Sequence, residues 1–153
     1  MMYCHNFKAY ASGSGITNIT VKVNVISAPC KINDGHAIEV DFGKNLRADL
    51  IDGSHYITPI KYSIDCSKSL NTALKMQIVG EPSSFDITAL KVAERDNMGI
   101  SIMSSNGKYP INTWLSFNNV SPPVLTAVPI VSSENKLTPG GFSAVATMKV
   151  DYE

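Results

Sequence analysis

The chain has no block of like charge. Its thirteen basic and thirteen acidic side chains cancel and are scattered, so the electrostatic footprint of a nucleic-acid binder is missing. No apolar run approaches the eighteen or so residues of a membrane span, which argues against membrane insertion by a helix. Metal-ligand spacings, a Gly-x-Ser-x-Gly elbow and a phosphate loop are absent, and Gly13-Ser14-Gly15 matches only a fragment of a dinucleotide fingerprint. His5, His36 and His55 are isolated, and Asp41, Asp49, Asp52 and His55 read as solvated strand and loop groups. Nothing here points to an enzyme or a cofactor. At 153 residues the chain is long enough for one real core and too short for a pair of typical domains.

Cysteine is scarce and odd in number, at positions 4, 30 and 66. Residues 1–11 end in the small-x-small pattern Ala9-Tyr10-Ala11 that export peptidases favour, although no apolar stretch precedes it. They read as the remnant of a leader. Cleavage after Ala11 would remove Cys4 and leave Cys30 and Cys66 as a pair, as suits an exported protein. In an intracellular chain the same two residues would be independent buried thiols.

What the sequence does have is alternation. From Asn18 to Val25 the aliphatic residues Ile19, Val21, Val23 and Val25 alternate with polar ones, the period of a strand with one buried face. No apolar run precedes it and no two-residue turn follows it, so its partner is expected far along the chain or in another molecule. Ile38, Val40 and Phe42 share a face, 43–55 reads as loop or short edge structure, and Ile60, Tyr62, Ile64 and Cys66 alternate so that Cys66 points inward.

Leu74, Met76 and Ile78 form a further strand that Gly80 and Pro82 end. Ile87, Leu90 and Ala93 recur at helical spacing and allow a turn or two of helix over 87–94. Asn106-Gly107 between Ile100–Met103 and Ile111–Leu115 predicts a hairpin. Val124 to Val131 is a strand whose Pro129 puts it on an edge or at a bulge. Phe142, Ala144, Ala146, Met148, Val150 and Tyr152 then share one face over an unusually long strand. About seven strands after Cys30, separated by turn signals, read as an immunoglobulin-like sandwich. Trp114, the single tryptophan, is expected in the core, with an exposed carbohydrate-stacking platform as the alternative. Asn18-Ile-Thr and Asn119-Val-Ser match the glycosylation acceptor pattern, a three-residue match that arises easily by chance.

From about Ile16 to Glu153 the chain resembles a pilin subunit of the chaperone-usher fimbriae, of the type 1 or P class. The resemblance rests on Ala28-Pro29-Cys30 closing the alternating extension, on Ile38 to Gly43, on Pro59 to Cys66, on Met98 to Ile102, and on Gly140 to Tyr152, with Tyr152 penultimate and Gly140 fourteenth from the end. It implies an all-β, incomplete immunoglobulin-like sandwich, the pilin fold, completed by a donor strand. Residues 12–29 would be the N-terminal extension and 30–153 the pilin domain.

Ile19, Val21, Val23 and Val25 would be the donor positions. Gly140, Phe142, Ala144, Ala146, Met148, Val150 and Tyr152 would form the acceptor groove and the contact with chaperone and usher. The implied partners are a periplasmic pilus chaperone, an outer-membrane usher and neighbouring pilin subunits, and the implied destination is an extracellular fimbrium. A minor or adapter subunit acting in cell adhesion is the expected role. Such extensions usually carry glycine seven residues before the cysteine, where this chain has Val23; a deeper acceptor groove or poorer insertion would follow. The alternative is a secreted immunoglobulin-like binding module, complete in itself, for a carbohydrate or protein ligand.

Overall fold

The computed structural model describes residues 3–11, 17–25, 30–69, 72–132 and 137–153, with only the backbone described for the first two stretches. Twelve strands build it: β1 (Tyr3–Ala11), β2 (Thr17–Val25), β3 (Lys31–Ile32), β4 (Thr58–Pro59), β5 (Ile64–Asp65), β6 (Ala73–Gly80), β7 (Leu90–Val92), β8 (Arg95–Ser104), β9 (Gly107–Lys108), β10 (Trp114–Asn118), β11 (Leu125–Val131) and β12 (Ser143–Tyr152). Two 3-10 turns, Asn33–Gly35 and Ala48–Leu50, are the only helical pieces among the described residues.

One sheet runs β10-β6-β12-β1-β2, and the facing one runs β4-β11-β8-β7 with β9 beside β8. Alternation explains how they close on each other. Leu74, Met76 and Ile78 of β6 and Ala144, Ala146, Met148 and Val150 of β12 are buried against Leu90, Val92, Ile100, Ile102, Leu125 and Ala127 of the other sheet. Gly80 lies against β7 of the facing sheet, since a Cβ there would lie 2.3 Å from Leu90 Cδ2. A side chain at that position would require the Leu90 side chain of β7 to shift.

A two-stranded pairing of β3 with β5 sets Lys31 opposite Asp65 and Ile32 opposite Ile64. It places Cys30 beside Cys66, and the disulfide joins them across a Cα separation of 4.1 Å. The two cysteines are 36 residues apart. In the chain-entropy model a loop of that length contributes about 4 kcal/mol of stability. The Tyr62 hydroxyl donates to Pro123 O and the Tyr109 hydroxyl to Met76 O at 2.9 Å. Burial pushes both phenols above their ordinary pKa, because the charged form would lose water.

Several expectations need correction. Ile38, Val40 and Phe42 are buried in alternation as read, but 38–42 belongs to no strand. The Ile60–Cys66 stretch is split, β4 pairing with β11 and β5 with β3, with the alternation intact. Residues 87–94 are not helical: Leu90 and Val92 are buried two apart in β7, while Ile87 is 78% exposed. Asp86 accepts from the Thr88 N–H at 2.9 Å, turning the chain into the strand.

The Asn106-Gly107 hairpin is present, yet its second arm is only Gly107–Lys108. The chain then crosses to the other sheet, where β10 pairs with β6. Trp114 is not core. It is 43% exposed at the margin of its sheet, with Lys75 Nζ 4.9 Å from the ring centroid, a cation–π contact. The partner of β2 is near in sequence after all, for β1 pairs with it from Tyr3 opposite Val25 to Ala11 opposite Thr17. Residues 3–11 have mixed polarity, so period alone does not mark them as a strand.

Candidate functional site

β12 is the strand around which a site can be built. Phe142, just before it, and Ala144, Ala146, Met148 and Val150 within it are all buried, as the alternation requires. Tyr152 differs: it lies at the end of the strand and is 36% exposed. Among the described residues of 30–153, β6 is the one strand that pairs with β12, from Ala146 opposite Gly80 to Tyr152 opposite Leu74. The other flank is bonded by β1, antiparallel, from Tyr3 opposite Val150 to Tyr10 opposite Ser143.

The registers connect the two sets of residues singled out in the sequence. Val25, Tyr3, Val150 and Met76 stand in one row across four strands, and Val23, His5, Met148 and Ile78 in the next. Val21, Phe7, Ala146 and Gly80 form a third row, and Ile19, Ala9 and Ala144 a fourth. The positions Ile19, Val21, Val23 and Val25 thus lie level with the buried positions of β12, one strand away. The structure does not place them next to β12.

The start of β12 is held by a turn of the opposite sheet that sequence reading missed. Glu94 accepts from the Ser143 N–H at 2.8 Å and from its hydroxyl, and the Ala93 N–H donates to Ser143 O at 2.9 Å. Arg95 donates from Nε to Thr138 O at 3.1 Å and from Nη1 to Gly141 O. Its guanidinium also explains Gly140, which has φ +130 and where a Cβ would meet Arg95 Nη2 at 2.8 Å. Both the backbone conformation and the cation demand glycine there. Nothing in the spacing of Glu94-Arg95 announces this role, because its partners lie more than forty residues away.

Beside this clamp a cavity of about 360 Å³ opens between Leu46, Ile51, Arg95, Met98, Leu137 and Phe142. Phe142 also packs against Phe42, ring centroids 6.1 Å apart. At the far end of the strand the Glu153 N–H donates to Ala73 O and the Ser116 hydroxyl donates to Glu153 Oε1 at 2.9 Å.

The polar loop candidates offer no catalytic arrangement. His55 Nδ1 lies 2.9 Å from Asp52 Oδ1, and this bond, with those from Ser54, holds the Asp52 carboxyl well below its usual range. Both side chains are half exposed, while Asp49 is ion-paired with Arg47. No group of three or more metal-ligating side chains occurs among the described residues, and no described helix is long and apolar enough to cross a membrane.

Comparison with known proteins agrees with this geometry. The profile of the family described as "Fimbrial protein" matches residues 18–153. The fimbrial-like protein YfcR of Escherichia coli K12 is 34% identical over 147 residues, covering 93% of this chain and 84% of its own. The fimbrial-like protein YfcQ of the same organism is 29% identical, covering 89% and 87%. The crystal structure of the P pilus rod subunit PapA superposes with a TM-score of 0.62 at 19% identity, covering 85% of this chain and 95% of PapA. The last likeness concerns the fold, an immunoglobulin-like sandwich of the pilin type. With a family match over most of its length, a pilin sandwich and a structural rather than enzymatic build, the chain belongs to the fimbrial protein family, as a pilin of the chaperone-usher class.

Proposed function

We propose that this pilin polymerises by donor-strand exchange, as a minor or adapter subunit of a fimbrium that serves cell adhesion. Residues 1–11 are the leader remnant, 12–29 the donor extension and 30–153 the receiving domain. Ile19, Val21, Val23 and Val25 enter the groove of a neighbouring subunit. The groove wall of this chain, Gly140 and Phe142 to Tyr152, receives first a strand of a periplasmic chaperone and then, at the outer-membrane usher, the extension of the next subunit. The mature chain passes through the periplasm to the cell surface.

One observation supports this reading above the others. The described residues of 30–153 supply β12 with a partner on one flank only, and the strand that bonds its second flank comes from outside that stretch. Strand addition to such an edge takes affinity from backbone bonds and register from alternate side chains.

The test uses the two faces of the extension. Val21→Asp places a carboxylate in an apolar groove at a cost of several kcal/mol and should abolish assembly, whereas Thr20→Asp should assemble normally. Pull-down of the receiving subunit reads both, and equal effects of the two substitutions would overturn the assignment. A chain beginning at Ser27 should still co-purify with the chaperone.

A second reading has a specific observation in its favour. The β1–β2 hairpin extends the sheet within a single molecule, as a self-complete binding module would. That reading requires the chain beginning at Ser27 to lose its fold even when the chaperone is present.

A further inference from the structure

One strand engages both assembly elements at once. β1 bonds β12 along Ser143 to Val150 with one edge and β2 along Thr17 to Val25 with the other. The acceptor flank of the proposed exchange and one edge of the donor strand are therefore occupied inside the same molecule. Edge bonding of this kind is exclusive, since each backbone N–H and C=O on a strand flank serves one neighbouring strand at a time.

We propose, building on the function above, that residues 3–11 are an internal cap: a chain that retains them does not accept a strand. The residues on either side of the cap are well matched to it in length. Nine residues of β1 face nine of β2, and eight of its positions are paired with β12. No partial edge is left along Ser143–Val150 for an incoming strand to nucleate on.

The cap ends at Ala11, the last residue of the small-x-small pattern Ala9-Tyr10-Ala11. Hydrolysis of the Ala11–Ser12 bond by an export-type peptidase would consume one water and leave a carboxylate on Ala11 and an amine on Ser12. That single cut separates the cap from β2 while leaving both β2 and β12 intact. It converts a covalent, intramolecular strand into a dissociable peptide, which loses the high effective concentration of a tethered segment.

The experiment replaces residues 12–15 with a specific protease site, so that the whole chain folds before any cut is made. A fluorescent synthetic peptide of residues 16–26 is then offered to the intact and the cut protein, and incorporation is followed by anisotropy. The intact chain should incorporate it at least about tenfold more slowly, because only the small uncapped fraction can react. In the intact chain the backbone amides of Ser143–Val150 should also be protected from hydrogen exchange, and in the cut chain they should exchange faster.

Equal and rapid uptake by intact and cut protein would overturn the cap and leave the proposed exchange standing. Uptake by neither would overturn the exchange reading itself, and the cap with it. Phe7→Pro in the uncut chain is the companion variant: it removes one N–H from the middle of β1 without touching β2 or β12, and should raise uptake. Unchanged slow uptake in that variant, with β12 still protected, would show that the edge is closed by something other than residues 3–11.

Discussion

β2 and β12 carry the same two-residue alternation near opposite ends of the chain, and they occupy different kinds of position. β12 lies inside its sheet, with Ala144, Ala146, Met148 and Val150 sealed in the core shared with β8 and β11. β2 is the last strand of that sheet and is bonded to β1 alone. Alternation fixes which face of a strand is apolar, while the neighbour is decided by whichever backbone edge is free. The same pattern can therefore build a permanent core strand or a portable one.

The comparison is sharpened first by the disulfide, which belongs wholly to the body that contains β12. Cys66→Ser should lower the unfolding free energy by about 4 kcal/mol in a guanidinium titration. A loss below about 1 kcal/mol would show that closing the loop between β3 and β5 contributes little.

Next in size is a matched pair of truncations. Met148→Ala, at a fully buried position, should cost about 3 kcal/mol in the same titration. Val23→Ala in β2 should cost under about 1 kcal/mol. Equal losses would break the comparison, because they would make β2 as integral to the core as β12.

Gly140→Ala tests the clamp at the start of the wall and should cost about 1–3 kcal/mol, since alanine is strained at φ +130 and collides with Arg95. If Arg95→Ala in the same chain relieved none of that cost, the strain would lie in the backbone alone. The smallest effect concerns Asp86. Burial would raise its pKa, but hydrogen bonds from Thr88 and Lys108 outweigh it and hold the carboxyl below its usual value. A depressed folded pKa contributes stability above the ordinary value of about 4, lost as pH falls through the folded one. Asp86→Asn should therefore flatten the acid side of the stability curve by less than about 1 kcal/mol, the side chain being near the surface.

Much of the body was legible because its strands bury one face. Leu74, Met76 and Ile78 in β6 and Phe142 to Val150 are buried where their alternation predicts, and Cys66 faces inward as its own alternation predicts. The misreadings arise where the alternation is short or is shared with another spacing. Leu90 and Val92 give β7 a single repeat, which the i, i+3 spacing of Ile87 and Leu90 imitates until Ile87 is seen to be exposed. Residues 38–42 alternate without pairing, because burial of Ile38, Val40 and Phe42 needs a core and not a ladder. Trp114 escaped because β10 ends its sheet, which leaves the indole half exposed with Lys75 over its ring. The clamp of Glu94 and Arg95 left no trace in the sequence, as long-range polar contacts have no period.

Pro59 and Pro129 show how a sheet margin can be kept from pairing with a further strand. β4 closes the margin of the second sheet with Pro59, pairing with β11 at Thr126 and Ala127, and the Ile60 N–H donates to Leu125 O beside it. Beyond it the β11 flank would lie open at Pro129, were proline not unable to donate a bond there. Two residues without an N–H, set along this margin of the second sheet, make it a poor template for a further strand.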